Sequence, residues 1–530
     1  MLSLCIAFPW RANHPERFPG RERLCDEAVL CHAGVLSDNP SSIIEGVAMA
    51  QVRQSRQKRA GARQAPVKPG QRIELVLEAL VNGGEALGRY EGLPVFVPQG
   101  VPGDRIEASI VSTKPGYARA TIQRILEPSQ QRIVAPCPVF GQCGGCQWQM
   151  LDYGQQVEWK TRLVAEALLR HGGWADTSRL RDTLGSSDPW HYRNKVHWAV
   201  AKPEGSWQVG LYEPRTHALV DTDTCAIQAP INNTILERVK GILADLPIAP
   251  YNERTGSGWL RSIFAKTSQI THDTMLGLVV RHDDPKLVAR LGERVRLELP
   301  TVTTLIINIH PAPGNKLLGD DTRVVFGSGV IRERIGPIEL AISAQSFFQV
   351  NSTMTALLYQ TVAHAAQCDQ APTVLDAYCG TGSIALYLAA SGARHVTGLE
   401  IVPAAIDDAR RNAVDNQLAD RAHFEVGDVT TLLTQHQHLR ETPDVLVLDP
   451  PRKGCETHAL EALAALASPR IIYVSCNPVT LARDLRVLDA LGYATESVQP
   501  VDMFPQTAHI ECVATLTRNQ AGLGRRDTEQ

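Results

Sequence analysis

A thiol and a carboxylate stand at strand-like runs near the carboxyl terminus of this 530-residue chain. Cys476, in Ser475-Cys476-Asn477-Pro478, follows the apolar run Ile471-Ile472-Tyr473-Val474, which reads as a buried strand. Glu511, in His509-Ile510-Glu511, lies inside a second strand-like run over 509–516. Upstream, Val374-Leu375-Asp376-Ala377-Tyr378-Cys379-Gly380-Thr381-Gly382 reads as strand, glycine-rich turn and helix start. Gly380 and Gly382 would let the backbone pass close to a ligand. These residue types suggest a nucleophile, a base and a cofactor cradle. Carbon 5 of a uracil is a poor nucleophile. A thiolate added to carbon 6 makes an enolate that can accept a methyl group, and a base must then remove the carbon 5 proton so that sulfur can leave. Taken singly, a cysteine at a strand end is a small buried side chain and a glutamate in a strand is a surface group. The conjunction with the glycine turn favours the chemical reading.

Three more acids flank that turn. Glu400 ends the run His395-Val396-Thr397-Gly398-Leu399, 24 positions beyond Asp376, close to the roughly 20 expected of an acid that accepts from ribose hydroxyls. Asp428 follows the run 422–426 and reads either as a partner for an adenine amino group or as an ordinary turn aspartate. Asp449 ends Val445-Leu446-Val447-Leu448 and opens Asp449-Pro450-Pro451-Arg452-Lys453-Gly454. Asp-Pro-Pro with an aromatic next is the pattern of amino-group methylation. Here Arg452 holds that place, which argues for a different reaction. A cation there is expected to lower the pKa of Cys476.

The chain has twelve cysteines, unevenly placed. Cys137-x5-Cys143-Gly-Gly-Cys146 clusters three of them, and Cys225 follows in Asp223-Thr224-Cys225. Thiolates at such spacing bind zinc or an iron–sulfur cluster, and spacing alone leaves the metal open. The pattern suits a reducing cytoplasm rather than a disulfide scaffold. Its distance along the chain from Cys476 suggests that it organises the middle of the molecule and an RNA surface. No apolar run approaches the roughly 18 residues of a membrane span, and the short apolar start, soon followed by Arg11 and His14, is not expected to be a signal peptide. The formal charge is −3, so any affinity for nucleic acid rests on local charge.

These groups need elements to hold them. Residues 352–366 read as a helix. Strands at 373–376, 395–399, 422–426, 445–449 and 471–474 then alternate with helices, the pattern of a parallel sheet covered on both faces. Runs 492–500 and 509–516 would close its edge as a hairpin. Residues 190–345 alternate as a mostly antiparallel sheet, opened by Tyr192-Arg193-Asn194-Lys195, which reads as an RNA contact or as a solvated strand start. A helix is expected over 153–170. Residues 71–127 hold several short strands with turns at Asn82-Gly83-Gly84 and Val101-Pro102-Gly103-Asp104, which suggests a small oligonucleotide-binding barrel, with Lys114, Arg119 and Arg124 as a basic rim. Residues 1–48 carry no period, and Met49 is an alternative start. The run 53–72 holds seven cations and no acid and reads as a solvated tail or as an arm for RNA phosphates.

With Gly83-Gly84, Gly88, Phe96-Val97-Pro98 and Pro102-Gly103-Asp104, the barrel region resembles a TRAM domain, an RNA-binding module. With Cys476, Glu511 and the glycine turn, the chain over roughly 70–517 resembles the RNA (uracil-5-)-methyltransferase family, in particular its 23S ribosomal RNA branch with a TRAM domain and a 4Fe–4S cluster. The resemblance implies an α/β fold: a class I (Rossmann-like) SAM methyltransferase domain, an N-terminal TRAM/OB-like β-barrel and a mixed α/β central domain. The boundaries expected are 1–65 for a disordered or non-native extension, 66–127 for the barrel, 128–342 for the iron–sulfur and central domain, 343–518 for the methyltransferase domain and 519–530 for a tail. It implies Cys476 as nucleophile and Glu511 as base. S-adenosylmethionine would be held by Gln349 (in Ser346-Phe347-Phe348-Gln349-Val350-Asn351), Tyr378, Ser383, Glu400, Asp428 and Asp449. Ser383 stands where some members carry asparagine. Cys137, Cys143, Cys146 and Cys225 would ligate the cluster. The partner implied is 23S rRNA in the cytoplasm, with no membrane and no obligate protein partner, and the target base must be extruded from its stack. The rivals are a tRNA uracil-5-methyltransferase, whose branch lacks both barrel and cysteines, and a non-catalytic RNA-binding protein.

Overall fold

The computed structural model describes residues 66–314, 316–435 and 442–519. The expectations for 1–65, including Met49 and most of the basic run, and for the tail from 520 lie outside the described residues.

Strands β1 (Arg72–Leu80), β2 (Ala86–Tyr90), β3 (Leu93–Val97), β4 (Arg105–Lys114) and β5 (Tyr117–Glu127) close a barrel in the order β1-β2-β3-β5-β4. Period-2 alternation sends Ile73, Leu75 and Leu77 inward. The core of the barrel is completed from outside by Trp148, Met150 and Leu151, by Trp159 and Leu163, and by Ala508 from the far end of the chain. The Trp148 indole N–H donates to the carbonyl of Gly84 at 3.2 Å. Arg119 and Arg124 pair with Glu85 and Glu107, so the expected basic rim is largely neutralised.

Helix α1 (Tyr153–His171) starts where the side chain of Asp152 accepts the Gly154 N–H, a cap for an otherwise orphaned donor. It leads into the middle sheet. There β6 (Lys195–Ala201), β7 (Gln208–Tyr212), β8 (Leu219–Asp221), β9 (Leu260–Thr267), β10 (Thr274–Val280), β11 (Thr304–Ile309) and β12 (Asp321–Phe326) order as β12-β11-β10-β9-β6-β7-β8. Only β10 and β11 pair in parallel. A hairpin, β13 (Val330–Ile335) and β14 (Ile338–Ser343), joins this sheet to the last layer.

The last layer holds β15 (Thr373–Asp376), β16 (His395–Glu400), β17 (Ala422–Val426), β18 (Val445–Leu448), β19 (Arg470–Ser475), β20 (Tyr493–Val501) and β21 (Glu511–Arg518). Their order is β17-β16-β15-β18-β19-β21-β20, with only β21 reversed, so that its two pairings are antiparallel and the rest parallel. This is the α/β class I arrangement. Strand β21 slots between β19 and β20 and runs against both. Order reverses at β15, which has β16 on one side and β18 on the other, and a ligand crevice opens at such a reversal.

Candidate active site at the carboxyl edge of the last sheet

Four of the parallel strands, β15, β16, β18 and β19, deliver a polar group to one edge. β15 ends on Asp376 and β16 on Glu400, while Asp449 follows β18 and Cys476 follows β19. β21 runs the other way and begins on Glu511, so its first residue arrives at the same edge. The register pairs Ser475 with Cys512, which sets Glu511 beside Cys476. Glu511 is 4% exposed.

The neighbours of the sulfur decide its state. Burial raises the Cys476 thiol, Glu511 and Asp449 raise it further, and Arg452 opposes without reversing the shift. The expected lowering by Arg452 is therefore outweighed, because two carboxylates and a low-dielectric wall act on the same sulfur. Burial also lifts Glu511 well above the usual carboxylate range, aided by Asp449 and opposed by Arg452. Asp449 is raised to about 7 by burial. His509 is pushed down to about 4 by burial and by Arg452, Lys160 and Arg193, so it sits there as a neutral ring, edge-on to Phe504. Asn477 ties the thiol's turn to the Arg452 loop. Its amide donates to the Arg452 carbonyl at 3.1 Å, and its oxygen accepts the Val479 N–H at 3.1 Å. The second bond caps α9 (Pro478–Ala490).

Beside this pair lies the glycine turn. Gly380 has φ +55° and open space where a Cβ would stand. Gly382 has φ +77°, and a Cβ there would meet the Phe424 ring at 2.8 Å, so both turn and packing require glycine. Glu400 accepts the Gly380 N–H at 3.3 Å and the Val402 N–H at 2.9 Å. Ser383 begins helix α5 (Ser383–Ala390) and shares a 2.7 Å hydrogen bond with the Tyr359 hydroxyl. Tyr378 is half-buried against Cys455 and its neighbours. Gln349 is buried, and its carbonyl accepts the Asn194 amide at 3.1 Å. Asp428 caps the short helix α7 (Val429–Gln435), its carboxylate accepting the Thr431 N–H at 3.0 Å. That is the turn role its position allowed.

Asp376 adds a residue not singled out from the sequence. It is fully buried, and neither carboxylate oxygen has a hydrogen-bond partner. The nearby amides of Tyr378 and Ala385 ease its ionisation but stop short of a bond of normal geometry. Burial first, then Asp449 and Glu400, hold its pKa at about 8. An orphaned acid of this kind calls for a polar or cationic ligand. The signal was available: an aspartate ends the strand directly before the glycine turn. Asp376, the open face of Gly380 and Glu400 together fit a nucleoside-bearing cationic cofactor.

The other cysteines form a second location. Cys137, Cys143, Cys146 and Cys225 are free thiols within electrostatic reach of one another, and burial raises Cys146 to about 12. The donor set fits a thiolate-bound group. Among the described residues no group of three or more His, Cys, Asp or Glu side chains is drawn together to hold a metal ion. The thiol loop is not remote from the edge of the last sheet, since the N–H groups of Gln147 and Trp148 donate to the Gln506 carbonyl at 3.1 and 3.0 Å. Tyr192 and Asn194 differ from both sequence readings. Tyr192 is buried and donates to the Pro505 carbonyl at 3.0 Å, and Asn194 is buried against Gln349 and Ser352. They fasten layers together rather than meet solvent or RNA. No helix among the described residues is long and apolar enough to cross a membrane.

Residues 337–519 match the tRNA (uracil-5-)-methyltransferase family, and residues 66–122 match the TRAM domain. The chain is 41% identical over 453 residues to an uncharacterized RNA methyltransferase of Halalkalibacterium halodurans, covering 86% of this chain and 98% of that one. It is 40% identical to an uncharacterized RNA methyltransferase of Listeria monocytogenes, covering 86% and 99%. Among solved structures, it resembles in fold the Pyrococcus abyssi tRNA (uracil-54, C5)-methyltransferase in complex with S-adenosyl-L-homocysteine, with a TM-score of 0.68 at 24% identity, covering 84% of this chain and 99% of that one.

Proposed function

The chain belongs to the RNA uracil-5-methyltransferase family and carries a TRAM domain, and we propose that it methylates carbon 5 of a uridine in 23S rRNA, in the cytoplasm, through a covalent Cys476 adduct. The observation that carries this reading is the meeting of Cys476, just past the end of β19, with Glu511, at the start of the antiparallel β21, both within reach of Asp449, which also acts on the orphaned Asp376.

Cys476 loses its proton to water as the base enters, and its sulfur bonds to carbon 6. The ring's π electrons move to carbon 5 and the neighbouring oxygen. S-adenosylmethionine, when bound, would supply the methyl group for carbon 5, its sulfonium becoming a neutral thioether. Glu511, as carboxylate, takes the carbon 5 proton. That electron pair restores the ring double bond, and the bond from Cys476 sulfur to carbon 6 breaks. Gln349, Tyr378, Ser383, Glu400, Asp428 and Asp449 would hold the cofactor, and the orphaned carboxyl of Asp376 would be available to its cationic group. Arg452 favours the ionised forms of both Cys476 and Glu511. Cys137, Cys143, Cys146 and Cys225 would hold a 4Fe–4S cluster, whose irons take four thiolates, and no step of the transfer passes through it. Iron and acid-labile sulfide in anaerobically purified protein, lost in Cys146→Ser, support this; stoichiometric zinc overturns it.

A tRNA target is the second reading, favoured by the family that residues 337–519 match. Incubation with the methyl donor and 5-fluorouridine-substituted RNA separates the two. Fragments of 23S rRNA are expected to give a trapped adduct at one nucleotide and tRNA transcripts none. The reverse outcome installs tRNA, and an adduct that persists in Cys476→Ala ends the mechanism.

A further inference from the structure

Helix α1 buries an apolar stripe in its second half, with Leu163, Val164, Ala167 and Leu168. Its first half buries Gln156 and Lys160, both fully. Positions 153, 156 and 160 lie on one helix face. All three reach a single loop, 502–510, which connects β20 to β21 and ends at Glu511. The Lys160 ammonium pairs with the Asp502 carboxylate, both fully buried, and donates to the Phe504 carbonyl at 3.0 Å. The Tyr153 hydroxyl donates to the other Asp502 oxygen at 3.0 Å. Gln156 and Gln506 exchange bonds: the Gln156 amide donates to the Gln506 side-chain oxygen at 2.9 Å, and the Gln506 backbone N–H returns one to Gln156 at 2.9 Å.

Burying an ion pair costs several kcal/mol per ion, and an apolar pair of the same shape would hold the helix to the loop at least as firmly. What the polar trio adds is direction. Each bond addresses a chosen loop atom, so the loop is held in one conformation rather than merely covered. Resting on the reading of Glu511 as base, we infer that Lys160, with Tyr153 and Gln156, is a positioning residue that holds the 502–510 loop where Glu511 can reach the carbon 5 proton.

Single turnovers on uridine-containing 23S rRNA fragments test this. The first readout is the rate at which labelled methyl enters the RNA, and the second is the rate at which the methylated covalent adduct resolves. In Lys160→Met, methyl entry per folded molecule is expected to stay within a few-fold of the parent, while resolution slows by about 100-fold, the scale of a roughly 1 Å misplacement. Gln156→Leu is expected to show the same split more weakly, and it serves alone if Lys160→Met does not fold. Equal losses in both rates, or none in resolution, overturn the inference. Glu511→Gln separates the two layers of argument. If it accumulates adduct while the helix variants do not, only the positioning role fails. If it resolves at the parent rate, the base assignment fails as well.

Discussion

Two groups of cysteine sulfur in this chain are shielded from water in much the same way, and they differ in company. Around Cys476 stand Glu511, Asp449 and Arg452. Around Cys146 stand Cys225, Cys143 and Cys137, with no carboxylate among the groups that shift it. Burial raises the thiol in both places. In the first, two carboxylates oppose ionisation of the sulfur and one cation, Arg452, favours it. In the second, sulfur faces sulfur, and each neighbouring thiolate raises the cost of ionising the next, eased at Cys146 by Gln149. The residue type is the same; its neighbours differ, and the roles proposed for the two sets, nucleophile and ligand, rest on that difference.

The largest test of this contrast is to remove each sulfur in turn. Cys476→Ala is expected to lose methyl transfer by on the order of 10⁴-fold or more, measured as label entering RNA, with no adduct on fluorinated RNA. Cys146→Ala is expected to keep adduct formation, and a loss as deep as that of Cys476→Ala would break the contrast. Next in size, Glu511→Gln should slow turnover by about 10²- to 10⁴-fold, the usual worth of a general base. Methyl should still enter and the adduct should build up on a denaturing gel; equal slowing of entry would remove the carboxylate's late role.

A smaller effect is expected from Arg452→Ala. The cation opposes the upward shifts of Cys476 and Glu511, so its loss should move alkylation of Cys476 by iodoacetamide to higher pH. Each pKa unit lowers the thiolate fraction about tenfold near neutrality. The thiols of the four-cysteine group, which lack this neighbour, should alkylate unchanged. The smallest effect concerns stability. Asp376 has its folded pKa raised from 3.8 to about 8. The folded protein therefore keeps a proton that the unfolded chain releases above 3.8, and stability from this group is full below that pH and is lost as pH rises towards 8. Thermal melts of the ligand-free protein should show the fall, and Asp376→Asn should flatten it. An unaltered pH profile would mean that the acid finds a partner after all.

Much of this was legible along the chain. The alternation of strands and helices after position 343 announced a parallel α/β layer, and the short strands of 71–127 announced a barrel. The glycine turn showed itself because a left-handed φ and a close approach select glycine. Other features were not legible. Glu511 was read as lying within a strand, whereas it begins β21 and reaches Cys476 only because β21 runs antiparallel to β19. Tyr192 looked like an exposed aromatic beside cations, yet it is covered by Pro505 from more than 300 positions away. From the sequence Arg452 is expected to lower the pKa of Cys476, but its effect can be weighed only against burial and carboxylates whose proximity no spacing reveals.

The chain alone determined which residue types stand at strand ends, where glycine permits a turn, and which cysteines travel together, because periodicity and turn preference are short-range properties of neighbouring residues. The tertiary structure decided which ends meet, which acids lose their water, and that a lysine on α1 is spent on the loop before Glu511. Pairing order and burial are sums over groups distant in sequence, and a pKa or a hydrogen bond exists only once those groups have been brought together.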